Sequence, residues 1–92
     1  MSAGTEDAVR LDDLLNDTDL PADLDDSRIC YWRSPGHWWI YPPRAGVGRL
    51  TNHSVTEHED RTITVRPSIA QGPAGKPWTR HGFLTHGEWR EC

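Results

Sequence analysis

The chain has 92 residues, a net charge of -4 and 35% hydrophobic residues, which bounds it to one small domain. It contains no run of about 20 apolar residues, which excludes a membrane-spanning helix, and no basic start followed by an apolar stretch of the kind a secretory signal needs. The charge is divided along the chain: residues 1–26 hold nine acids against one base, Arg10, whereas residues 27–92 hold nine bases against five acids.

This division predicts an acidic arm with a short helix over residues 1–26 and a β-rich domain over residues 27–92. All five Trp, all five His and both Cys lie in the second part. A domain of that size buries only about 60% of its unfolded surface and is marginal on its own. Each buried Trp removes about 150–250 Å² from water, so some of the indoles are expected in the core. Without an export signal the expected location is a reducing cytoplasm, as for a bacterial or viral cytosolic protein. Cys30 and Cys92 then read as thiols or metal ligands rather than a disulfide.

In chain order, Thr5 is placed to cap a helix, with Glu6 and Asp7 in its first turn where the helix dipole favours acids. Ala8, Leu11, Leu14 and Leu15 recur at helical spacing, and Asn16 is the expected stop. Residues 17–26 read as an acidic linker broken by Pro21.

Residues 28–33 (RICYWR) predict a strand, Ser34-Pro35-Gly36 a type II turn, and residues 37–41 (HWWIY) the returning strand. Period-two alternation puts Trp38 and Ile40 on one face and His37, Trp39 and Tyr41 on the other. Both faces are apolar or aromatic, so the strand is either buried twice or offers one aromatic face to a ligand. Pro42-Pro43 ends it, and residues 45–48 read as a loop.

A second hairpin is expected from residues 53–57 and 61–66 around an acidic turn at Glu59-Asp60, with Pro67-Ser68-Ile69 leaving the strand. Residues 71–76 (QGPAGK) form a Gly/Pro loop, expected to be mobile. A third hairpin pairs residues 80–85 with 88–92 across His86-Gly87. A two-residue loop pairs Leu84 with Trp89 and sets His81 opposite Cys92; a one-residue shift pairs Phe83 with Trp89 instead. The expected fold is thus mainly β: a small antiparallel sheet, or a partly open barrel or sandwich of hairpins, preceded by the helix-containing arm.

The segment TITVRPSI (residues 62–69) is similar to a Pro-Ser-Ile/Val signature in a family of small proteins of unknown function encoded by phages and prophages, and RHGFLTHGEW (residues 80–89) resembles the family's C-terminal hairpin. Where those relatives carry a Cys-Pro-Gly-Cys turn, this chain has Ser34-Pro35-Gly36-His37. The resemblance runs from Cys30 to Cys92 and does not cover the acidic arm. It implies a small β-rich fold and a phage or prophage context, and no activity. Some relatives carry an ammonia monooxygenase label, which the residues here do not support.

The residues offer three kinds of chemistry beyond this arm-and-body organisation. Zinc asks for about four N or S ligands; Cys30, His37, His81 and Cys92 are the candidates, without a close-spaced Cys pair. Catalysis would need Ser34 or Ser68 as nucleophile with His81 or His37 as base, and neither a Gly-x-Ser-x-Gly elbow nor a phosphate-cradling Gly loop is present. Nucleic-acid binding would use Arg28, Arg33, Arg44, Arg49 and Arg66, with Trp39 and Tyr41 stacking on bases. The preferred expectation is a non-enzymatic protein without a cofactor that binds a host or phage protein. Its contacts would be Trp39 and Tyr41, or the Leu11, Leu14 and Leu15 stripe. A nucleic-acid-associated or zinc-binding module is the alternative.

Overall fold

The protein is described by a computed structural model covering residues 5–16, 19–72, 75–76 and 79–92. Asp17 of the acidic linker, the middle of the Gly/Pro loop and Trp78 lie outside the described residues. Nine strands are seen among the described ones: β1 (Thr5–Asp7), β2 (Val9–Arg10), β3 (Cys30–Ser34), β4 (His37–Tyr41), β5 (Gly48–Arg49), β6 (Ser54–Glu57), β7 (Ile63–Gln71), β8 (Arg80–Thr85) and β9 (Glu88–Glu91). They form a five-stranded sheet in the order β1-β9-β8-β7-β6 and a four-stranded sheet in the order β2-β3-β4-β5. The result is mainly β with two sheets and no closed barrel. None of the described residues forms a helix long and apolar enough to cross a membrane.

All three hairpins form. β3 and β4 pair with Ser34 opposite His37, leaving Pro35-Gly36 as the loop with Gly36 at φ 77°, the positive value a type II turn requires. β8 and β9 adopt the two-residue register: Leu84 pairs with Trp89 and Thr85 with Glu88, and the Cys92 N–H donates to the His81 carbonyl at 2.9 Å. Both loop residues have positive φ, 47° at His86 and 74° at Gly87, as a type I′ turn demands. A side chain at Gly87 would lie 2.9 Å from Thr62 Cγ2, so this corner is closed as well as turned.

β7 is longer than expected. It continues through Pro67 to Gln71, with a shift in its pairing to β8 between Val65 and Ile69. The Pro is tolerated because β6 begins only at Ser54, opposite Arg66. Beyond that point β7 has no β6 neighbour, and a missing N–H interrupts the ladder only locally.

The expected N-terminal helix is not formed. Residues 5–10 are extended and supply an edge strand to each sheet: β1 runs antiparallel to β9 and β2 runs parallel to β3. The chain changes sheets at Ala8, whose N–H donates to the Gly87 carbonyl at 2.8 Å. Further on, the N–H groups of Leu11 and Leu14 donate to the carbonyls of Tyr31 and Arg33, each at 2.9 Å. An isolated helix of about 12 residues is marginal in water, whereas two unpaired sheet edges offer backbone partners at once. Edge pairing therefore overrides the helical spacing of the leucines.

The main core lies between the sheets. Ile29, Tyr31, Ile40 and Leu50 from the smaller sheet and its flanks meet Ile63, Val65, Ile69, Leu84 and Trp89 from the larger one, with Ala8, Trp38 and Val55 packed around them. A second cluster covers the outer face of the four-stranded sheet. Leu11, Cys30 and Trp32 are buried there, with Val9, Leu14, Leu24, Trp39, Tyr41 and Val47 against them. The HWWIY strand is thus apolar on both faces because both are packed.

Two arginines fix the acidic segment to the rest. Arg10 on β2 reaches Glu57 at 2.7 Å, Asp13 at 2.9 Å and the Arg61 carbonyl at 2.8 Å, and lies 4.9 Å from the Trp38 ring centre. Burial disfavours its charge, but the hydrogen bonds to Glu57 and Asp13 outweigh that and hold its pKa above the ordinary value. Arg80 on β8 joins Glu6 at 2.7 Å and also pairs with Glu91.

Candidate binding site

The sequence nominated the aromatic face of β4, and the structure covers it with the chain's own acidic segment. Trp39 is half-buried. Its ring stacks on Trp32 with centres 6.4 Å apart and planes at 6°, and its Nε1–H donates to Ser34 Oγ at 2.6 Å. The Tyr41 hydroxyl donates to Asp26; that bond, with some burial, raises the phenol's pKa. Leu14 and Leu24 pack over the same cluster. Of the nominated leucines, Leu11 is buried and Leu14 half-buried, while Leu15 is 97% exposed. Leu20, which sequence reasoning did not single out, is 60% exposed. Both sit in a stretch whose exposed side chains are otherwise mostly acidic, Asp12, Asp13, Asp19 and Asp23 among them.

The arginines nominated for nucleic acid are all exposed but do not share a face. Arg33 lies on the inner side of the smaller sheet, 5.7 Å from the Trp38 ring centre and 3.9 Å from Glu57. Arg49 pairs with Trp39 on the opposite side. Arg28 follows Asp25 in a loop, Arg44 sits in the turn after β4 with φ 69°, and Arg66 belongs to the outer face of the other sheet.

The zinc candidates are also dispersed. Cys30 is buried in the second cluster, its Sγ 3.7 Å from the Arg28 carbonyl oxygen, and burial pushes its thiol pKa up, which disfavours the thiolate a metal needs. His37 opens β4. His81 and Cys92 are neighbours on the larger sheet, joined through the backbone. Among the described residues, no group of three or more His, Cys, Asp or Glu is placed to hold a metal ion.

Of the residues weighed for catalysis, Ser34 is buried and accepts from Trp39. Ser68 Oγ and His81 Nε2 do meet, at 2.9 Å.

The outer face of the five-stranded sheet carries a concave site that sequence reasoning missed. It has a volume of about 280 Å³ and is lined by Ser54, Thr56, His58, Thr64, Arg66, Thr85 and His86. Three strands build it by alternation: Ile63 and Val65 point into the core, so Thr64 and Arg66 point out, beside their cross-strand partners Thr56 and Ser54. His58 follows β6, and His86 is the first residue of the β8–β9 turn. Their rings stack with centres 3.7 Å apart and planes at 8°. Thr64 Oγ1 ties them together, accepting from the His86 backbone N–H at 3.0 Å and lying 2.6 Å from His58 Nε2. The available signal was the run of outward Ser and Thr on adjacent strands with a His at the end of each. It is visible only once the register is known.

Comparison of the chain with protein-family models, with curated proteins and with solved structures finds no match. What the fold defines is a small two-sheet β protein with one packed outer face and one open, polar one.

Proposed function

We propose that this is a non-enzymatic binding protein that engages a protein partner through the acidic segment crossing its smaller sheet. The carrying observation is the contrast within that segment. Leu11 is buried and Leu14 is packed and hydrogen-bonded to β3, whereas Leu15 stands 97% exposed. An apolar side chain on an anchored backbone meets a partner without first paying the ordering entropy of a loose tail. Leu20 and the acids Asp12, Asp19 and Asp23 extend the contact, so the complementary surface is basic with an apolar pocket. The resemblance of residues 30–92 to phage and prophage proteins supports a host factor or virion component as the partner, met in the host cytoplasm or in the particle.

The test is capture from nuclease-treated bacterial lysate on the native chain and on a Leu15→Ser, Leu20→Ser double variant. A band retained by the native chain and lost with the variant supports the reading; a band indifferent to both leucines refutes it. The alternative, a nucleic-acid-associated or zinc-binding module, has less support because its arginines and its ligand candidates are spread over several faces.

A further inference from the structure

We infer that the groove between His58, His86, Thr64 and Arg66 is a binding site for a tetrahedral oxyanion of the phosphate monoester type. It lies on the outer face of the five-stranded sheet, and the inference does not rest on the partner surface proposed above.

The lining is the first argument. All seven residues are polar: four hydroxyls, two imidazoles and one guanidinium, with no carboxylate among them. Sites for drug-like molecules are mostly apolar with a few polar groups; a wall made only of donors and hydroxyls suits a small, strongly hydrated anion instead. Arg66 brings the charge and forked geometry that match phosphate oxygens. The hydroxyls of Ser54, Thr56 and Thr85 surround it with donors that rotate to suit a ligand.

Size is the second. The site encloses about 280 Å³. Liquid water occupies roughly 30 Å³ per molecule, so the space fits one phosphoryl group and part of the small molecule carrying it.

The third is the imidazole pair. Both rings line the groove, stacked with centres 3.7 Å apart, so their ring nitrogens stand side by side. A phosphoryl group beside them has imidazole N–H groups to accept from. Thr64 holds both residues at the wall: it is only 8% exposed, and it bonds the His86 backbone and the His58 ring. Asp60, in the turn before β7, is not among the residues that line the groove. Its Oδ1 is occupied by the backbone N–H and the hydroxyl of Thr62, at 3.0 and 2.6 Å.

The experiment is an NMR titration of the full-length protein with inorganic phosphate at constant pH and ionic strength, with sodium acetate and sodium chloride as parallel arms. Phosphate is expected to produce saturable shifts confined to Ser54, Thr56, His58, Thr64, Arg66, Thr85 and His86, and acetate and chloride to produce none that saturate. Arg66→Gln, at an exposed position, should weaken phosphate at least about tenfold, as expected for one charge-assisted pair, with amide dispersion elsewhere unchanged. Thr85→Val, also exposed, should weaken it less. Absence of saturable shifts with phosphate, equal saturation by acetate, or indifference to Arg66→Gln would each overturn the assignment.

Discussion

The two outer faces of this sandwich differ although both belong to antiparallel hairpins of similar length. On the four-stranded sheet, Trp32, Trp39 and Tyr41 point outward and are roofed by Leu11, Leu14 and Leu24 of the acidic segment. On the five-stranded sheet the outward positions include Ser54, Thr56, Thr64, Arg66 and Thr85, and among the described residues only these, His58 and His86 line the groove. An antiparallel sheet needs only one packed face. The smaller sheet has its second face closed because its outward residues are aromatic; on the larger one the residues around the groove are polar and need no cover. The acidic segment is therefore part of the fold, and its unlike charge is met at Arg10 and Arg80.

If that contrast is right, truncation should be costly on one outer face and cheap on the other. Trp32→Ala is expected to lose about 3–5 kcal/mol, the usual range for a buried Trp. Phe83→Ala, on the outer face of β8 beneath Arg90, is expected to lose under about 1 kcal/mol. Chemical denaturation of both variants measures the difference; similar values would break the comparison.

The same split should appear within the acidic segment. Leu11→Ala is expected to cost about 2–4 kcal/mol, and Leu15→Ala within about 0.5 kcal/mol of zero. A loose, undocked arm would make both neutral.

Close packing of the inner faces predicts an intermediate effect at Gly82. A methyl group there would overlap the Arg90 carbonyl and approach the Trp89 ring to 2.7 Å. Both are backbone or rigid ring atoms, so Gly82→Ala should destabilise by about 1–3 kcal/mol, read as a lowered denaturation midpoint.

The smallest effect concerns pH. Burial holds Tyr31 in its neutral form and raises its pKa above the ordinary 10.0. In alkaline solution the unfolded chain loses that proton first and so binds fewer protons than the native one. This contribution to stability is complete below the ordinary value and is lost as pH rises toward the folded one. Cys30 and Tyr41 shift in the same direction. The denaturation midpoint of the native chain should fall between about pH 9 and 11, and Tyr31→Phe should fall less steeply.

Local chemistry made much of the fold legible. Pro35-Gly36 and His86-Gly87 marked two hairpins, and alternation in HWWIY separated Ile40 from Trp39 correctly. The groove was less legible, because its residues come from β6, β7, the end of β8 and the β8–β9 turn. Thr64 reads as an ordinary outward strand residue, and His58 and His86 as unrelated turn residues, until pairing brings them together.

Periodicity and turn residues alone therefore determined a mainly β chain built on three hairpins, since these signals act over two to five neighbouring residues. Tertiary structure decided the state of residues 5–15 and the role of each aromatic face. Leucine spacing suits a helix, but the backbone partners that made this segment extended lie on β3 and β9, over 20 and 80 residues away. Competition between a local pattern and distant hydrogen-bond partners is settled only when the two sheets assemble, because only then do the unpaired edges exist.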